Sequence, residues 1–243
     1  MKTFRYGHDT ETPVNIGDIF VLFNNYRVYK YMLGILVELG KTDFPNYKIL
    51  EPGCGSGSKL RFLTECRAKP ENCYGLEMSS SAVELCKKLS PVAMNFQQGS
   101  AMSMPFEDNY FDIVICSGLF GCFNVDQDVT RLSAEIDRVL KANGIMFVLD
   151  INENFNEFYA YNKAVMDKKL RPYDSQNGEL EALLEDRFTV VSRLPAFVID
   201  GYLKPDNTPV EVTDLPIIDK AIDDREERCA YTLWAFFKKM DDE

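Results

Sequence analysis

The chain has 243 residues, enough for one large α/β domain or two small ones. Its 46% hydrophobic and 27% charged content is that of an ordinary globular protein, and 38 acidic against 27 basic side chains leave a formal charge of −11. That balance works against duplex nucleic acid and anionic membranes as partners, since the densest basic cluster is only Lys168-Lys169 with Arg171. A small-molecule substrate is expected, and a homodimer stays open. The opening segment MKTFRYGHDTETP lacks a signal-peptide core, and no apolar run is long enough to span a bilayer. Seven cysteines without a close CxxC pair argue against a disulfide framework, so a reducing cytoplasm is the expected setting.

Residues 19–39 carry Phe20, Phe23, Tyr26, Tyr29, Leu33, Leu36 and Val37 at helical spacing and are expected as a helix. Residues 47–50 read as a short buried strand running straight into Glu51-Pro52-Gly53-Cys54-Gly55-Ser56-Gly57. Residues 58–67 follow as a helix with Leu60, Leu63 and Cys66 on one stripe. The alternation then repeats: strand 72–77, a helix from Ser80 to Leu89 opened by capping serines, and a weak strand at 92–98. The continuously apolar FDIVICS, Phe111 to Ser117, suits a strand covered on both faces. A helix over 128–140, ended by Asn143-Gly144, leads to a fifth strand at 144–151.

Strands alternating with helices at this spacing predict an α/β fold, a doubly wound Rossmann-like sheet with helices on both faces. Right-handed crossovers then bring the strand C-terminal ends to one ligand-binding edge. The last third changes character, with a helix at 179–186 and two late strands, 188–199 and 228–238, expected as an antiparallel hairpin at one edge. Two stretches exceed the minimal plan, 152–173 and 200–227, and are expected to cover the substrate site. The domain plan is thus a single unit over 1–243: a helical cap at 1–46, a ligand-binding core at 47–151 and these two insertions.

Gly53, Gly55 and Gly57 alternate between a strand and a helix, where glycine permits positive φ and bare backbone meets a ligand beside free helix N–H groups. The G-x-G-x-G spacing, with Ser58 in the sixth position, departs from the dinucleotide fingerprint G-x-G-x-x-G/A. No Gly-Lys-Ser/Thr triplet exists, which removes the phosphate loop. Glu51, two residues before the first glycine, would repel a pyrophosphate but support a cationic ammonium or sulfonium group.

The segment E-P-G-C-G-S-G resembles the first motif of the class I S-adenosylmethionine-dependent methyltransferases, in their type 11-like form. Glu77 in YGLEMS stands twenty residues beyond Gly57, where the family places an acid that holds both ribose hydroxyls. The stretch NFQQGSAMSMPFEDNYFDIVICS is similar to the family's G-D-A-x-x-L-P-F-x-D-x-x-F-D-x-V, with Ser100 in place of the Asp that receives the adenine amine. EIDRVLKANGIMFVLD resembles its helix–turn–strand R-V-L-K-P-G-G. These motifs run from about Lys48 to Asp150.

The resemblance implies a seven-stranded sheet with the last strand antiparallel and S-adenosylmethionine as cofactor, released as S-adenosylhomocysteine. It implies methyl transfer to an oxygen, less readily a nitrogen, of a small acceptor such as a sugar or nucleotide-linked metabolite. Its cofactor residues would be Glu51, Gly53, Cys54, Gly55 and Gly57 around the turn, and Glu77 with Met78 at the second strand. Ser100, Ala101 and Met102 would follow the third strand, and Ser117 and Gly118 the fourth, with Met104 beside the adenine. Tyr26 and Arg27 of the cap would reach the cofactor carboxylate or the substrate, and Cys54 reads first as filler under the turn. His8, the single histidine, is the candidate base. Asp150 and Asn152 are candidates to face the substrate, but they do not form a magnesium-binding carboxylate set, so no metal is expected. The alternatives are a methyltransferase-fold protein that binds a ligand or partner without catalysis, and a nicotinamide-dependent oxidoreductase.

Overall fold

The computed structural model describes residues 19–154, 170–196 and 231–239, with side chains from residue 25 onward, and two single positions, Pro216 and Lys220. Seven strands form one sheet: β1 (Ile49–Pro52), β2 (Cys73–Glu77), β3 (Asn95–Gln98), β4 (Phe111–Ser117), β5 (Leu140–Ile151), β6 (Phe188–Ala196) and β7 (Tyr231–Lys238). Their order is β3-β2-β1-β4-β5-β7-β6. β1 to β5 pair in parallel, and β7 runs antiparallel to both its neighbours, β5 and β6. The order reverses between β1 and β4, and the glycine turn leaves β1 at that switch point, where open α/β sheets bind ligands.

Among the described residues, five helices accompany the sheet: α1 (Ile19–Glu38), α2 (Ser58–Glu65), α3 (Ser80–Leu89), α4 (Asp126–Val139) and α5 (Glu179–Leu184). Strand side chains alternate between two cores, as the two-residue period of a pleated strand requires. Ile49, Ile113, Ile115, Phe147 and Ala235 pack with α1, α2 and α3. Leu50, Val114, Cys116, Val148 and Trp234 pack with α4 and α5. β4 is apolar throughout its middle because helices cover both its faces.

Three local expectations are corrected. The buried stripe of α1 is Val28, Tyr29, Met32, Ile35 and Leu36, whereas Tyr26 and Val37 are exposed. The helix is apolar around most of its circumference, so spacing alone could not select the face. Phe20 and Phe23 lie outside the described side chains. Val92 is fully exposed and β3 begins only at Asn95. Asn143-Gly144 does not end α4: the helix stops at Val139 and Leu140 already pairs with Phe111 as the first residue of β5. Asn143, at φ 61°, instead shapes an irregularity before the ladder resumes at Ile113 and Ile145. Lys141 closes that irregularity on Asp112, 2.9 Å to each carboxylate oxygen.

Both ends of the 152–173 insertion are tied to the sheet. The Asn152 amide donates to Thr232 Oγ1 at 3.0 Å, and the Tyr173 N–H donates to the Ile151 carbonyl at 3.1 Å. Residues 155–169 and, apart from Pro216 and Lys220, the 200–227 insertion lie outside the described residues. Among the described residues no helix is long and apolar enough to cross a membrane.

Candidate functional site

The turn after β1 owes its shape to its glycines. Gly53, Gly55 and Gly57 have φ of 70°, 54° and 72°, a region costly for any residue with a Cβ. Gly53 and Cys54 donate their N–H groups to the Leu76 carbonyl at 2.7 and 3.2 Å, which binds the turn to β2. Gly57 is the N-cap of α2 and brings no capping side chain, so the first N–H groups of the helix stay available to a ligand. Space beneath the turn is tight as well: a Cβ on Gly57 would stand 2.9 Å from the Phe96 ring. Cys54 is buried below, its sulfur 2.8 Å from where a Cβ on Gly75 would sit, and burial with the neighbouring Cys86 thiol pushes its own thiol far up. That environment makes Cys54 an inert filler.

Two carboxylates flank the turn on adjacent strands. Glu77, at the end of β2, accepts from the Gly55 N–H at 3.1 Å and from the Ser79 N–H at 3.0 Å, one bond to each oxygen. A carboxylate has about four acceptor sites, so roughly two remain for a pair of hydroxyls. Met78 follows with its side chain largely exposed. Glu51, at the end of β1, is 2% exposed, and its Oε2 has no hydrogen-bond partner among the described residues. Burial lifts this carboxyl from 4.5 to about 7, with Lys59 and Arg61 opposing and Glu77 adding to the rise. A buried acceptor of this kind fits a cationic ligand group, and the glycine cradle fits the rest of an S-adenosylmethionine.

The segment after β3 forms a tight turn. The Ser103 N–H donates to the Ser100 carbonyl and the Met102 N–H to Ser100 Oγ, both at 3.2 Å. The Met102 N–H uses one lone pair of Ser100 Oγ and leaves the second to accept from a donor. Ala101 is buried, Met102 is part-exposed, and Met104 is packed into the α4-side core and is not free to turn toward a ligand.

Beyond β4, Ser117 is half-buried and Gly118, at φ 62°, donates to the Leu149 carbonyl at 2.8 Å. Leu119 reaches over the glycine turn, its Cδ1 3.3 Å from where a Cβ on Gly53 would be. The next residues, Phe120–Cys122, form a 3-10 turn held by three residues from elsewhere. Asp150 accepts from the Gly121 N–H at 2.9 Å, Tyr173 donates to the Phe120 carbonyl at 3.0 Å, and the Arg171 N–H donates to the Gly121 carbonyl at 2.8 Å. Asp150 also takes the Ile151 N–H at 2.9 Å, and burial raises its carboxyl to about 6. Asp150 and Asn152 therefore do not face a substrate: both are buried and committed to holding loops. Tyr173, fully buried, was not visible as a site residue in the sequence because its partner is a backbone atom 53 positions away.

In the cap, Tyr26 is exposed, and Arg27 is fully enclosed with its guanidinium bonded to the Tyr31 hydroxyl and 5.3 Å from that ring's centre. The cap residue whose phenol feels the Glu51 charge is instead Tyr29, buried and stacked on Phe62 with ring centroids 3.8 Å apart. His8 lies outside the described residues.

A doubly wound sheet with a glycine turn and two strand-end acids at its switch point is the arrangement of the Rossmann-like class. Known proteins agree. Residues 50–148 match a family model described as a methyltransferase domain. The chain is 28% identical over 166 residues to the phthiotriol/phenolphthiotriol dimycocerosates methyltransferase of Mycobacterium tuberculosis, 65% of this chain and 60% of that protein. It is 25% identical over 171 residues to the fatty-acid O-methyltransferase of Mycolicibacterium smegmatis, 68% and 58% respectively. With the demethylmenaquinone methyltransferase of Staphylococcus epidermidis it shares 30% identity over 175 residues, 69% of this chain and 70% of that one. The chain thus belongs to the class I S-adenosylmethionine-dependent methyltransferases. It spans about three fifths of the length of the first two of these relatives.

Proposed function

We propose that this chain transfers the methyl group of S-adenosylmethionine to an oxygen of a small-molecule acceptor. The observation that carries the reading is the pair of strand-end carboxylates around the glycine turn, with Glu51 buried and one of its oxygens unpartnered among the described residues, and Glu77 already oriented by two backbone N–H groups. In this reading Gly53, Gly55 and Gly57 pass by the methionine half, Glu77 holds the ribose hydroxyls, and Ser100, Ala101 and Met102 meet the adenine. Ser117 and Gly118 border the cofactor near its methyl group. When bound, the cofactor supplies an electrophilic methyl on a sulfonium. The protein's part is to align the acceptor and keep water out, which is where most of the rate of such a displacement originates. His8 is the candidate base.

The relatives, named for a dimycocerosate, a fatty acid and a demethylmenaquinone, support an apolar acceptor; the fatty-acid O-methyltransferase supports oxygen as the atom methylated. A sugar or nucleotide-linked sugar is the second acceptor class to be screened. Calorimetry with S-adenosylmethionine should show binding by the intact chain and at least about a tenfold loss on Glu77→Ala. Labelled methyl transfer to fatty acids, quinols and sugars then identifies the acceptor. An intact chain that does not bind the cofactor overturns the reading, and binding without transfer to any acceptor makes the chain a non-catalytic relative.

A further inference from the structure

The segment that leaves β3 is fastened by two side chains of α4, Glu135 and Arg138, which stand in the helix–turn–strand stretch and take no part in the site described above. The Met104 N–H donates to Glu135 Oε2 at 2.7 Å, and the Met104 carbonyl accepts from Arg138 Nη2 at 2.9 Å. Arg138 Nη1 donates to the Phe106 carbonyl and to Asp108 Oδ1, both at 2.7 Å. Its Nε and Nη2 meet the two oxygens of Glu135 at 3.0 Å each. The planar guanidinium thus grips four groups at once, which a lysine ammonium has no geometry to do. Met104 is the residue that directly follows the Ser100–Ser103 turn, so both its backbone groups are docked where that turn ends.

We infer that Glu135 and Arg138 are positioning residues for the adenosine half of the cofactor site, acting through the Ser100–Met102 turn. The inference rests on the proposed assignment of that turn to the adenine. Its physical basis is that a hydrogen bond to a purine edge discriminates between purines only when the protein partner cannot relax to meet the wrong one. Ser100 and the Ala101 and Met102 backbone sit on a short turn with little side-chain mass of their own. The clamp at Met104 supplies the rigidity they lack, and the Asn109 and Tyr110 N–H groups continue it by donating to the Arg138 and Val139 carbonyls at 2.8 Å.

The test is calorimetry of S-adenosylhomocysteine against S-inosylhomocysteine, which carries a 6-oxo group in place of the 6-amine, on the intact chain and on three variants. Arg171→Met is the control for general weakening: Arg171 pairs with Asp126 at the opposite end of α4 and with Glu179 on α5. The intact chain and this control should prefer the 6-amino ligand by the same factor. Arg138→Met should bind S-adenosylhomocysteine about tenfold more weakly and lose most of its preference for the 6-amine. Glu135→Gln, which keeps one acceptor for the Met104 N–H, should fall between, and it carries the test if Arg138→Met does not fold. An undiminished preference in the folded clamp variants, or an equal loss in the control, overturns the inference. Absence of S-adenosylhomocysteine binding by the intact chain is seen before any variant is made, and it overturns the proposed function along with the clamp.

Discussion

Glu51 gives the folded protein a pH dependence of its own. Its folded-state value of about 7 stands above the ordinary 4.5, so the folded protein holds a proton that the unfolded chain releases between those limits. Below about pH 4.5 both states are protonated and burial of the carboxyl costs little. As pH rises toward 7 the cofactor-free protein loses stability, by about 3 kcal/mol once the group is ionised in both states. Urea unfolding across this range should show Glu51→Gln gaining on the parent chain as pH rises above about 4.5, with no further change in the difference below it. Equal pH profiles for the two proteins would show that this carboxyl is not desolvated. The sequence marked Glu51 and Glu77 through their distance from the glycines, but a spacing cannot report that one is buried and the other half-solvated.

At the scale of elements, the 3-10 turn Phe120–Cys122 buries Phe120 in the α4-side core, and a buried aspartate, a buried tyrosine hydroxyl and a returning backbone hold it there. Asp150→Ala leaves the Gly121 and Ile151 N–H groups without their acceptor and should destabilise the protein by on the order of 3 kcal/mol, measured as a shift in urea midpoint at unchanged slope. A loss below about 1 kcal/mol would mean water replaces the carboxylate there. In the sequence Asp150 stands at the ligand edge of a strand and reads as a substrate contact. Its actual use depends on Gly121 approaching so closely that a Cβ there would lie 2.5 Å from the carboxylate oxygen. The α1 face is a similar case: with apolar residues on most sides, the helix was legible, but the choice of Val28, Met32 and Ile35 over Tyr26 and Val37 was made by the strands it covers.

For the whole molecule, a ligand that binds only the folded state must raise the melting temperature by mass action. S-adenosylhomocysteine at a hundred times its dissociation constant should contribute about 2.7 kcal/mol, or roughly 5–10 °C for a chain of this size, followed by differential scanning fluorimetry. Glu77→Ala should abolish most of that shift at the same ligand concentration. The alternation of strands and helices, the two late edge strands, the position of the glycine turn and the two acids beside it were all readable from the amino-acid sequence. Each rests on local rules: two-residue and helical periodicities, glycine at positive φ, and short spacings that keep a strand end and its following helix in register. The tertiary structure alone decided that Glu51 is desolvated, that Asp150 holds a loop, that Tyr29 is buried while Tyr26 is exposed, and that Arg138 grips the segment directly after the turn expected to meet adenine. Those outcomes depend on atoms distant in the chain meeting across the sheet, where burial and hydrogen-bond geometry, and not residue type, determine what a side chain does.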